Sequence, residues 1–323
     1  MTRRLAVAGP VGADGADVSN EAIARRLASG ELFWLDLHGL DDDDLALLRD
    51  TFGLHPLVLE DVQRQGQRAK VEEYDDMTYI VAFGATPPPD HDRLVEVHLL
   101  YSEHFLLTLH RDASPAINDV VHRCSIRPEL LEKGPHLLYR VLDALTDSFF
   151  PAMDELDSDI DEIDSALSTS PRDGLQGEIF ELRRRVVALR RAVTPQRDQI
   201  SRIATGAVEL PGVDADARRY FRDVEDHLIR IAELLDGYRD LLAGANDVYL
   251  ATVSNRLNAV TKQLTVIAGI FLPLSFITGF FGQNFGWMVD HVGGPGAFFG
   301  LGIGLQVAAI AVLVVLFRRA RWL

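Results

Sequence analysis

Two apolar runs dominate the hydrophobic pattern, and both lie near the end of the chain. From Gln263 to Val289 no residue is charged, a run of 27 positions. A helix needs roughly 20 residues to cross a hydrocarbon core. A second uncharged run, Val292 to Phe317, follows Asp290-His291. The pattern predicts a membrane hairpin: a first span over 263–283, a linker over 284–295, a second span over 296–317 and a basic tail over 318–323.

Upstream the pattern is that of a water-soluble chain. Residues 1–135 read as a mixed α/β domain. Ser19-Asn20-Glu21 can cap a helix running to Leu27. Leu32 to Leu37 and Tyr79 to Phe83 are strand candidates, and Val95–Tyr101 with Phe105–His110 suggests a hairpin around Ser102-Glu103-His104. Residues 136–262 read as a helical domain and stalk. One helix is expected from Leu137 to Ser168, with a dense acidic face running from Asp154 to Asp164, and a basic one from Phe180 to Ile203. The two could pair as an antiparallel hairpin.

After Pro211-Gly212 comes the longest regular pattern. Leu228, Leu235, Leu242 and Tyr249 are seven apart, as are Val224, Ile231, Tyr238 and Ala245. Sustained heptads mark a helix packed against partner helices. No break separates this helix from the first span, so one continuous helix is expected from Asp214 to about Phe281, roughly 100 Å long. A monomer cannot cover both faces of such a rod, which argues for an oligomer with the rods around an axis. The fold class is therefore α+β: a cytoplasmic α/β domain, a long helical stalk and two C-terminal transmembrane helices.

Charge orients the hairpin. Arg256 and Lys262 precede it and Arg318, Arg319 and Arg321 follow it, while the linker carries no Lys or Arg. By the positive-inside bias both chain ends face the cytoplasm. The N-terminal apolar stretch is short and broken by Gly and Pro, unlike a signal peptide. Cys124 is the one cysteine, which excludes an intramolecular disulfide or a thiolate cluster. The net charge of −16 argues against nucleic acid as the target of the Arg183–Arg185 and Arg190-Arg191 cluster. The run Asp41–Asp44 is better read as complementing a helix dipole than as a metal site. No nucleophile–base pair, phosphate loop or zinc motif points to an enzyme.

From just before the first span and through it, Asn258, Thr261, Leu264 (or Thr265), Ala268, Leu272, Ser275 and Gly279 recur at three- and four-residue steps and share one face. That face is smaller and more polar than the one carrying Ile267, Ile270, Phe271, Leu274 and Ile277. Small residues allow close helix packing. Lining a pore is the other reading, favoured by Asn258 and Asn284 at the two ends, because an unpaired amide facing lipid is costly. Gly282-Gln283-Asn284 ends the span, and several copies of Asn284 would form a ring of amide carbonyls suited to a hydrated divalent cation.

These residues resemble the CorA family of divalent-cation transporters. The likeness rests on Tyr220-Phe221-Arg222-Asp223 through His227, Asp247-Val248-Tyr249-Leu250, Ser254 through Asn258, Lys262-Gln263-Leu264-Thr265, Ile270 through Leu274, Gly279 and the basic tail ending Trp322-Leu323. His55-Pro56-Leu57 and Arg68 through Glu72 are similar to a less strict N-terminal block. The resemblance implies a homopentamer in the inner or plasma membrane that carries Mg²⁺, with Co²⁺, Ni²⁺ or Zn²⁺ as other substrates. It implies an outer ring at Asn284, polar pore positions at Asn258 and Ser275, and a gate at Thr261, Leu264, Ala268 and Leu272. It also implies regulatory Mg²⁺ bound between subunits at Asp223, with a partner carboxylate at Asp90 or Asp92, and a basic collar of Lys262, Arg318, Arg319 and Arg321. Gln283 stands where the family has Met in its Gly-Met-Asn triad, and Thr261 where a Met often narrows the gate. In the outer loop Asp290 could attract cations, and His291 could favour a softer metal such as Zn²⁺ or Co²⁺. Zinc transport of the ZntB kind, coupled to protons, is the alternative.

Overall fold

The computed structural model describes residues 2–7, 17–86, 94–131, 133–169, 172, 174–283, 285–320 and 322. They fall into two units, Met1–Asn246 and Asp247–Leu323.

The first unit is built on a six-stranded sheet in the order β1-β2-β6-β5-β4-β3. Its strands are β1 Thr2–Val7, β2 Phe33–His38, β3 Lys70–Tyr74, β4 Met77–Ala85, β5 Leu94–Tyr101 and β6 Phe105–His110. β2 and β6 run parallel, and the other pairs are antiparallel. The expected β5–β6 hairpin closes where Ser102 N–H donates to Phe105 O and Ser102 Oγ accepts from the amides of His104 and Phe105. The edge strands β1 and β3 escaped the sequence reading because they carry Arg3, Arg4, Lys70, Glu72 and Glu73, the charges that keep sheet edges from pairing further.

Arg4 on β1 reaches Asp36 on β2 at 2.5 Å, and Asp36, 1% exposed, also accepts from Thr108 at 2.5 Å and contacts His110 Nε2 at 3.1 Å. Burial alone would raise the Asp36 carboxyl, but the hydrogen bond and charge of His110, with Arg4 and Thr108, hold it below the ordinary aspartate value.

Helices α1 Asn20–Ser29, α2 Asp42–Asp50, α3 Pro56–Gln63 and α4 Pro115–Ile126 accompany the sheet. At α2 the acidic run is structural. Asp41 and Asp44 form a reciprocal capping box, and Asp44 is buried against Arg3 at 2.5 Å.

The helical part holds α5 Gly134–Asp147, α6 Phe150–Thr169, α7 Leu175–Thr205 and α8 Arg218–Phe281. The single helix expected over 137–168 is two. Pro151 has no N–H for the Asp147 carbonyl, and its ring would clash there, so α5 stops and α6 restarts with proline in its first turn. The acidic and basic helices do pair: Arg185 on α7 binds Glu155 at 2.9 Å and Asp159 at 2.6 Å on α6. Gln196 on α7 is buried, and its amide accepts from Phe83 N–H at 2.6 Å and donates to Phe83 O, extending the β4 ladder beyond the end of β3.

α8 begins four residues later than expected. Asp214 instead stands before it and accepts from Ala217 N–H at 2.7 Å. Its heptad residues Val224, Leu228, Ile231, Leu235, Tyr238, Leu242 and Ala245 are buried within the chain. Tyr238 Oη donates to Met153 O at 3.3 Å, and Arg190 pairs with Asp236 at 2.7 Å. The partner helices that the heptads call for are the chain's own, so these seven residues are no argument for an oligomer.

In the second unit the end of α8 leads through α9 Gly286–His291, α10 Pro295–Ala297 and a π-helical turn, Phe298–Gly304, into α11 Leu305–Arg319. Among the described residues two helical stretches are long and apolar enough to cross a membrane: one within α8, the other Pro295–Arg319. They touch at two levels. A Cβ on Gly269 would lie 2.9 Å from Phe317 Cζ, and Gln306 Nε2 donates to Thr278 Oγ1 at 3.0 Å.

Candidate functional site

The polar stripe of α8 lies on a face that α11 leaves open. Asn258, Thr261, Leu264, Leu272, Ser275 and Gly279 are exposed, and Ala268 is half-buried. Val266, Ile270, Pro273, Leu274, Ile277 and Phe281 are half-buried on roughly the opposite side of the helix, toward α11. Ile267 and Phe271, assigned from the sequence to the bulky face, are 55% and 65% exposed, so α11 covers only part of that face. Thr265 spends its hydroxyl on Thr261 O at 2.8 Å, and Thr278 on Leu274 O at 2.9 Å.

At the end of the span Gly282 N–H donates to Thr278 O at 2.9 Å, and a Cβ there would sit 3.0 Å from that same carbonyl. A side chain there would crowd the closing turn. Gln283 lines a cavity of about 300 Å³ with Phe281, Met288, Val292 and Phe298. Asn284 lies outside the described residues, as does Arg321.

Asp290 and His291 are exposed on α9. His291 stacks on Trp287 with ring centroids 4.9 Å apart, and its Nδ1 lies 3.0 Å from Trp287 O. A carbonyl only accepts, so Nδ1 carries the proton, and in the neutral ring Nε2 is the nitrogen left to bind a metal. Arg318 and Arg319 occupy the last turn of α11, where positive charge complements the helix dipole. Lys262 is half-buried on α8.

A second site lies between α5 and α8 in the first unit. Asp223 is exposed and accepts from Tyr139 Oη at 3.4 Å. One turn further along α8, His227 meets Asp143 and Asp147 of α5. One ligand atom from each of these three lies within 4.8 Å of the others, and His227 Nδ1 is 3.3 Å from Asp147 Oδ1. Burial raises the Asp143 carboxyl, the charge of Asp147 raises it further, and Asp223 adds to this against the opposing effect of His227. Burial, then Asp143 and Asp223, push the Tyr139 hydroxyl up as well.

Carboxylates that repel one another beside an imidazole suit a divalent cation. The family resemblance singled out Asp223 as a candidate, whereas Asp143, Asp147 and His227 were not proposed as metal ligands. Their signal is a pair of i, i+4 spacings, Asp143/Asp147 on one helix and Asp223/His227 on the other. Asp90 and Asp92, the expected partners of Asp223, lie outside the described residues.

A soluble α/β unit, a long helix with acidic residues near its start, and two apolar helices at the C-terminus define a membrane protein of the ion-transporter class. A sequence model described as CorA-like Mg²⁺ transporter protein matches residues 29–319, and the chain belongs to that family. It is 32% identical to the cobalt/magnesium transport protein CorA of Thermotoga maritima, over 90% of this chain and 83% of the other. It is 27% identical to the zinc transport protein ZntB of Yersinia pseudotuberculosis, over 90% of this chain and 88% of the other. Its fold matches the CorA magnesium transporter of Methanocaldococcus jannaschii with a TM-score of 0.83 and 23% identity, covering 100% of this chain and 99% of that one.

Proposed function

We propose that the chain forms a homopentamer in the cell membrane and conducts divalent cations, Mg²⁺ first, into the cytoplasm down the membrane potential. The observation that carries this reading is the open stripe of α8. In lipid, exposed Asn258, Thr261 and Ser275 would face hydrocarbon at a cost, whereas around a shared axis they face water and one another. Copies of Gly282-Gln283-Asn284 then form the outer mouth. Asn284 carbonyls hold a Mg²⁺ that keeps its tightly bound waters, and Gln283 lengthens the polar rim where the family has a thioether.

Both chain ends lie in the cytoplasm, and Lys262, Arg318, Arg319 and Arg321 form a basic collar at the inner surface. Cytosolic Mg²⁺ acts as regulator at the acidic group on α5 and α8. Bound there, it offsets the repulsion among Asp143, Asp147 and Asp223 and fixes α8, which runs on into the first span. Asp90 and Asp92 are the candidates for extending this site to a neighbouring subunit.

Zinc transport with proton coupling is the second reading. It is favoured by the likeness to ZntB and by the available Nε2 of His291. Uptake into liposomes, metal by metal and with or without a pH gradient, separates the two. Mg²⁺ entry that needs no gradient supports the first, and Zn²⁺ entry that requires one, without Mg²⁺ entry, supports the second.

A further inference from the structure

Gln306 is half-buried within the second span, where a lone amide is expensive. Its Nε2 donates to Thr278 Oγ1 at 3.0 Å, and that hydroxyl donates in turn to Leu274 O at 2.9 Å. The backbone carbonyl of Thr278 accepts from Gly282 N–H at 2.9 Å. One residue thus receives both the side chain from α11 and the amide that closes α8. The π-helical turn Phe298–Gly304 stands immediately before α11. Each extra residue in such a turn rotates the side chains that follow by about 100°, so this turn sets the direction in which Gln306 points.

We infer that Gln306 is a positioning residue: through Thr278 it anchors the last turn of α8 to α11 and holds the Gly282–Gln283 turn where the outer cation ring is built. The inference rests on the proposed transport role for its consequence, but the anchor itself is a property of the two spans. Loosening it should leave the gate region at Thr261–Leu272 intact and blur the geometry of the mouth. Affinity and ion discrimination should then change more than maximal rate.

The test compares Gln306→Leu, Thr278→Val and the double variant with wild type, and uses Thr278→Ser, which retains the hydroxyl, as the rescue. In liposomes each single variant should raise the Mg²⁺ KM and lower the Mg²⁺/Ni²⁺ preference by about three- to tenfold, the range of one interhelical hydrogen bond in a bilayer. Maximal rate should stay within about twofold, the double variant should match the singles, and Thr278→Ser should behave as wild type. In nanodiscs, amide exchange over 278–283 should speed up in the same variants. Unchanged KM, preference and exchange in both singles, or additive losses in the double variant, would overturn the inference. Exchange decides the anchor even if wild-type liposomes take up no cation, a result that would count against the transport reading alone.

Discussion

His227 Nδ1 on α8 lies 3.3 Å from Asp147 Oδ1 on α5, and Asp143 completes a group whose ligand atoms are mutually within 4.8 Å. Replacing both carboxylates, Asp143→Asn with Asp147→Asn, should weaken Mg²⁺-dependent protection of the chain from protease by about tenfold or more in half-maximal Mg²⁺. The unliganded variant should be no less stable than wild type, because amides remove a repulsion. Equal protection in the variant would locate the regulatory cation elsewhere.

The same group gives a pH dependence. The Asp143 carboxyl is raised by burial and by Asp147, so without cation it takes up a proton at a higher pH than an ordinary aspartate. A protonated carboxyl has lost its charge and is a much weaker ligand than a carboxylate. As pH falls through that raised value, Mg²⁺ binding should weaken while the unliganded fold gains stability. Titrating Mg²⁺ protection at several pH values checks this: Asp143→Asn should bind more weakly throughout and lose that part of the pH dependence.

Asp36 is a structural counterpart. Its carboxyl is lowered, so its contribution to stability is present above the unfolded aspartate value and is lost as pH falls through the folded one. Asp36→Ala leaves Arg4, Thr108 and His110 without their shared acceptor and should cost about 3–5 kcal/mol, the usual cost of breaking a buried ion pair. Thermal unfolding of the detergent-solubilised protein would show it as a lowered Tm. A loss below about 1 kcal/mol, typical of a surface pair, would contradict this role.

Gly269 permits the close approach of the two spans at Phe317. Gly269→Leu should overpack that contact and cost about 1–3 kcal/mol, seen as a less stable oligomer on native gels. Gly279→Ala, where a Cβ meets nothing within 4 Å in the single chain, should leave the spans paired.

The sequence made the membrane hairpin, the long helix and the acidic–basic helix pair legible, because each depends on a local periodicity or charge run. The reading failed where local pattern and tertiary partner diverge. The heptads from Val224 to Ala245 correctly announced partner helices but could not say that α5, α6 and α7 of the same chain supply them. β1 and β3 are edge strands whose charges hide the alternation. Pro151 divides α5 from α6 although the apolar spacing runs on across it. Asp143 and Asp147 drew no notice in the sequence, because only the fold sets them against His227 on another helix. The polar stripe was readable because α8 keeps one helical phase from Asn258 to Gly279, whereas periodicity alone does not say what that stripe faces.

The most direct test of cation conduction is Mg²⁺ uptake into liposomes carrying the wild-type chain or Asn284→Ala, with a negative-inside potential. Expected is uptake by wild type that rises with the potential and falls by at least about tenfold in the variant, with the oligomer intact. No uptake by wild type, or equal uptake by Asn284→Ala, would contradict a pore whose outer cation ring is formed at that residue.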